Sequence, residues 1–91
     1  MTDAPPPDTL FEFPCDFPIK IMGQASDDFR SLVLGIVTRH FGELTADRIQ
    51  ERASSNGRYL SFTCTVRAES KAQLDAVYRD LTSCRQVLVA L

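Results

Sequence analysis

Phe13-Pro14-Cys15-Asp16-Phe17-Pro18-Ile19-Lys20-Ile21-Met22-Gly23-Gln24 is the stretch whose reading decides the fold. Phe17, Ile19 and Ile21 alternate with Pro18, Lys20 and Met22. Successive side chains of a strand point to opposite faces, so this alternation predicts a half-buried strand. Pro18 lacks an N–H, so it belongs at the strand's start or facing away from a ladder bond. Gly23 ends the run, and Gly23-Gln24 reads as a permissive turn into the first helix.

Working forward, Ser26 reads as a helix N-cap, with Asp27 and Asp28 where the helix dipole is positive. Phe29, Leu32, Val33, Ile36, Val37 and Phe41 then fall three and four residues apart, one apolar stripe along a helix over 26–41. Arg39 and His40 lie in its last turn, and Gly42 is a left-handed stop. Residues 46–53 carry Asp47, Arg48, Gln50, Glu51 and Arg52 around Ile49, which reads as a polar edge strand. Ser54-Ser55-Asn56-Gly57 is a hairpin turn.

From Tyr59 the alternation is the cleanest in the chain. Leu60, Phe62, Cys64, Val66 and Ala68 take one face; Tyr59, Ser61, Thr63, Thr65 and Arg67 take the other. A slip of one residue would expose the whole apolar set, so the register is firmly specified. Ser70 and Gln73 form a capping box for a helix over 70–82, with Leu74, Val77, Tyr78 and Leu81 as its stripe. Gln86–Leu91 is apolar on both faces and reads as a last strand.

Strand, helix, strand, strand, helix, strand is the order of a split βαβ arrangement. The expected fold is therefore α+β: a two-layer, ferredoxin-like βαββαβ sandwich with a four-stranded antiparallel sheet and both helices on one face. Right-handed crossovers place the first and third strands centrally and the second and fourth at the edges. The expected core is Ile19, Ile21, Phe29, Val33, Ile36, Val37, Leu60, Phe62, Cys64, Val66, Leu74, Val77, Leu81, Val87 and Val89. The other sheet face then carries Lys20, Met22, Arg48, Gln50, Arg52, the polar residues of the Tyr59 strand, Leu88 and Ala90.

At 91 residues the chain is one domain, here 10–91, behind a flexible Pro-rich tail over 1–9. Leu10, Phe11 and Phe13 read as cover for an edge of the domain, with docking on a partner chain as the competing reading. The three thiols, Cys15, Cys64 and Cys84, are odd in number and form no Cys-x-x-Cys pair, so they read as free packing residues. A single histidine gives no metal-ligand spacing, so no metal or cofactor is expected. No run of about 18 apolar residues exists to span a membrane. The N-terminus lacks the basic and apolar regions of a signal peptide, so a cytoplasmic protein is expected. His40 has no second group placed beside it by sequence, and no catalytic residue is assigned.

Several residues together resemble a known family. Glu12-Phe13-Pro14, Lys20-Ile21-Met22-Gly23-Gln24, the closing Arg39-His40, the Ser-Asn-Gly-Arg-Tyr turn over 55–59 and the apolar last strand are similar to the YbeD-like family of small bacterial proteins. The resemblance covers about residues 10–91. It implies a ferredoxin-like fold similar to metabolite-sensing ACT domains, a function poorly defined, and for some members a link to lipoate. It carries over no catalytic residue.

The expected function is a non-enzymatic regulatory or interaction domain that binds a protein partner or small metabolite. Its candidate binding residues are Lys20, Met22, Gly23, Gln24, Arg48, Arg52, Tyr59 and Arg67. The alternative is a weak nucleic-acid-binding module on the open sheet face. Against it stand a net charge of −2 and one stacking aromatic, Tyr59, where such sheets offer two or three. At the last strand two readings stay open: pairing with a second copy, or cover by the N-terminal segment.

Overall fold

The structure is a computed structural model that describes residues 12–91. The expected tail over 1–9, and Leu10 and Phe11, lie outside the described residues. Strand β1 runs Cys15–Gln24, helix α1 Asp27–Phe41, strand β2 Ile49–Ala53, strand β3 Tyr59–Ala68, helix α2 Lys71–Thr82 and strand β4 Val87–Ala90. A short 3₁₀ turn, Ala46–Arg48, leads into β2. The four strands form one antiparallel sheet in the order β2-β3-β1-β4. The ferredoxin-like sandwich and its central strands are as expected.

Local chemistry explains where the elements begin and end. The Ser26 hydroxyl accepts from the Phe29 N–H at 2.9 Å, and the Ser70 hydroxyl accepts from the Gln73 N–H at 3.2 Å. Each satisfies a first-turn donor that has no partner inside its helix. Gly42 closes α1 at φ 81°, where a side chain would be strained, and its N–H donates to the Thr38 carbonyl at 2.7 Å. In the hairpin, Gly57 takes φ 74° and donates to the Ser54 carbonyl at 2.9 Å. Asn56 Oδ1 accepts from the Arg58 N–H at 3.0 Å, an Asx-type closure.

The long β1–β3 ladder sets every side chain. Ile19 faces Cys64 and Ile21 faces Phe62, all buried against the helices. From the helix side come Phe29, Val33, Ile36, Val37, Leu74, Val77 and Leu81. The Phe29 and Phe62 rings pack at 5.8 Å between centroids. Ala68 joins the core, and no polar or charged residue among those described is buried. Pro18 sits within β1 rather than at its start. Lys20 exchanges backbone bonds with Leu91, so Pro18, two residues earlier, turns its nitrogen to the same side, beyond the end of β4. It therefore removes no bond from the β3 ladder.

Three expectations are corrected. Gly23 does not end the strand: β1 continues to Gln24, and Gly23 is buried between Leu60 of β3 and Val87 of β4. A Cβ there would stand 2.3 Å from the Gln86 carbonyl oxygen and 2.5 Å from the Phe29 ring. Glycine is required by close approach, and its φ is not positive. Next, residues 46–48 form the 3₁₀ turn, so β2 is shorter than 46–53. Last, the register of β4 jumps. Met22 pairs with Val89 but Gly23 pairs with Val87, leaving Leu88 as a bulge. Val89, expected in the core, is 40% exposed, while Ala90, expected on the open face, is half-buried against the core. Val87 is half-buried as well.

Candidate binding face

Among the described residues, the helices cover one face of the sheet and leave the other without a second layer. Asp16, Pro18, Lys20, Met22 and Gln24 of β1 alternate onto that open face. They stand opposite Arg67, Thr65, Thr63, Ser61 and Tyr59 of β3. Gln50 and Arg52 of β2 stand beyond Thr63 and Ser61. On the other flank Val89 pairs with Met22, and Leu91 exchanges backbone bonds with Lys20 at 2.8 and 2.9 Å.

A concavity of about 550 Å³ lies on this face. Its β1–β4 side is aliphatic: Met22, Val89 and Leu91, which are 42%, 40% and 71% exposed. Its β2–β3 side is polar: Gln50, Arg52, Ser61 and Thr63, with Lys20 between the two halves. Glu51 reaches its rim. That carboxylate is held by Arg30 of α1, whose Nε donates at 3.0 Å and whose terminal nitrogen bonds the second oxygen. The paired guanidinium holds Glu51 below the usual carboxylate range and raises Arg30 in turn.

The four cations expected on this face divide into two pairs. Arg48 and Arg67 both reach Asp16, at 3.1 and 3.5 Å. The hydrogen bond from Arg48 and the two nearby positive charges push the Asp16 carboxyl below its ordinary value. Lys20 and Arg52 have no ion-pair partner among the described residues. A second hollow, about 670 Å³, follows residues 12–18, and its one cation, Arg67, is the one tied to Asp16.

Of the residues singled out from sequence, Lys20, Met22 and Arg52 line the concavity. Gln24 and Tyr59 pair with each other at the end of the same face. Arg48 and Arg67 gather around Asp16 instead. Gly23 lies inside the fold. Sequence reasoning left out Asp16, Val89 and Leu91. Carrying the β1 alternation two residues further back would have placed Asp16 on this face. Val89 was hidden by the bulge.

The groups lining the concavity are suited to binding. They are an ammonium, a guanidinium, hydroxyls and an amide beside aliphatic side chains. The Ser61 hydroxyl donates to the Arg52 carbonyl at 3.4 Å, and no imidazole lines the hollow beside it. The one histidine is far along the other layer, bridging the helices. His40 Nε2–H donates to Asp80 at 2.6 Å, and Gln73 Nε2 donates to the His40 carbonyl at 3.0 Å. Cys64, buried on β3, has its thiol pushed up to about 11 by burial, which keeps it protonated and inert. Among the described residues no group of three or more His, Cys, Asp or Glu side chains is placed to hold a metal ion. Nor is any helix among the described residues long and apolar enough to cross a membrane.

Comparison with known proteins gives one consistent result. A family model described as "Protein of unknown function (DUF493)" matches residues 8–91. A protein of Paraburkholderia phytofirmans described as a UPF0250 protein is 48% identical, over 92% of this chain and 94% of its own. UPF0250 proteins of Ralstonia nicotianae and Neisseria meningitidis are 45% and 42% identical, with both chains covered in full. The solution structure of protein HP0495 from H. pylori superposes with a TM-score of 0.70, covering 99% of this chain and 98% of that one. At 13% identity that likeness concerns the fold.

Proposed function

The chain belongs to the DUF493 family, proteins of unknown function, and on that premise we propose that it is a non-enzymatic, cytosolic interaction domain whose open sheet face receives a protein partner. The family match bears out the resemblance to small bacterial proteins of undefined role. The observation that carries the proposal is the contrast between the layers: one face of the sheet lies under two helices, and the other exposes Met22, Val89 and Leu91 around a hollow. Exposed apolar side chains gathered at a hollow mark a contact site more often than scattered ones do. A concavity of about 550 Å³ also lies in the range of small-molecule sites, which supports a metabolite as the second reading. Nucleic acid finds less support, because Asp16 occupies two of the four cations and Tyr59 is the one aromatic on this face among the described residues.

The test is a photo-crosslinking residue placed at Met22, with a control at Asp75 on the exposed side of α2, in cells of a native host. A crosslinked protein seen from position 22 and not from position 75 is the expected result. Identical products from both positions, or none from position 22, would count against the proposal.

A further inference from the structure

The geometry points to the kind of partner that this face takes: an amphipathic helix of another protein whose polar flank is acidic. The inference rests on the proposed interaction role and adds the partner's shape and charge.

Shape comes from the backbone. The hollow lies over the β1–β3 ladder, where backbone groups already pair with each other. An incoming strand has no hydrogen bonds to make there. Strands add at sheet edges, whereas side chains meet a sheet face. A helix about 10 Å across matches two or three strands at about 4.8 Å spacing. The chain's own helices are not available for this, because their apolar stripes are buried against the inner face.

Charge comes from the side chains. The aliphatic strip of Met22, Val89 and Leu91 runs along the β1–β4 side. Among the described residues Lys20 and Arg52 stand beside it with no ion-pair partner, as do Arg58, Arg79 and Arg85 elsewhere, whereas Arg30, Arg39, Arg48, Arg67 and Lys71 each have one. The acid nearest the hollow, Glu51, is held by Arg30. Among the described residues the face is thus an apolar strip beside positive charge that no acid pairs, in a chain whose net charge is −2. Its complement is a helix with apolar residues three and four apart and Asp or Glu on the adjoining flank.

A selection from a displayed library of random helical peptides tests this on the full chain. Two baits are used, the wild type and the Lys20→Glu/Arg52→Glu variant. Both substitutions are on the surface, and a circular dichroism melt confirms that the variant folds. The expected result is acidic, amphipathic sequences enriched on the wild type and no acidic bias on the variant. A selected acidic peptide should lose roughly tenfold in affinity for the variant, since two exposed charge pairs become repulsions. Its affinity for the wild type should fall with added salt. Neutral or basic winners, acidic winners that ignore the double variant, or no enrichment would each overturn the assignment. Two further probes are titrated, a uridine oligonucleotide and octanoate. Tighter binding by either one at Lys20 and Arg52 would also overturn it. If the Met22 crosslink forms while the selection shows no acidic bias, the interaction role stands and only the charge assignment falls.

Discussion

The two faces of the sheet are made by the same strands and obey different rules. On β3, Leu60, Phe62, Cys64, Val66 and Ala68 point inward and are buried, while Ser61, Thr63, Thr65 and Arg67 point outward and reach solvent. The inner set has one solution, because each side chain fills space against α1 or α2. The outer set meets no second layer among the described residues, so volume and shape there are free to answer to something other than folding. Stability and recognition are separated by one step along the strand.

Substitution at Phe62 should break the inner face most severely. Phe62→Ala removes a fully buried ring that packs on Phe29 and should cost about 4 kcal/mol, read by urea unfolding. A cost below that of an outward substitution would undo the distinction. Gly23→Ala comes next. The added methyl meets the Gln86 carbonyl and the Phe29 ring at distances that real Cβ atoms do not adopt, so a loss of about 2–3 kcal/mol is expected. Were Gly23 only a flexible link, the same change would be neutral or slightly stabilising. Ser26→Ala should cost about 1 kcal/mol by leaving the Phe29 N–H without its cap.

Asp80 sharpens the contrast through pH. The hydrogen bond from His40, with Arg39 nearby, holds its carboxyl below the ordinary value of 3.8. A carboxyl depressed in the folded state contributes stability that is present above its ordinary value and is lost as pH falls through the folded one. Asp80→Asn should therefore flatten the part of the acid limb below about pH 4 in a denaturant-midpoint series. An unchanged acid limb would mean that the bridge between the helices contributes nothing. The smallest effect belongs to the open face: Lys20→Ser and Arg52→Ser should each leave stability within about 0.5 kcal/mol. A larger loss would show that these cations serve the fold.

Legibility in the sequence divides along the same line. Period-two alternation marks Leu60 to Ala68 because burial acts on alternate residues, and the stripes of α1 and α2 are visible for the same reason at period 3.6. Ser26, Ser70, Gly42 and the Asn56-Gly57 turn announce themselves because each answers a local backbone demand. The bulge at Leu88 has no such mark. It is set by how β4 meets β1, and it exchanged the places of Val89 and Ala90. Gly23 reads as a turn because a flexible glycine and a crowded one look alike until the Phe29 ring is placed. The hold of Asp16 on Arg48 and Arg67 joins residues 32 and more positions apart, which composition does not reveal. The polar part of the candidate face was therefore visible as a pattern, and its charge balance was not.

The central claim is that the uncovered face, and not the helical layer, makes the contact. The most direct measurement is an amide shift map of the isotope-labelled chain during titration with the protein captured at Met22. The account predicts changes at Lys20, Met22, Arg52, Ser61, Thr63 and Val89, with the exposed sides of α1 and α2 quiet. Changes centred on α1 and α2, with those six amides unmoved, would contradict it.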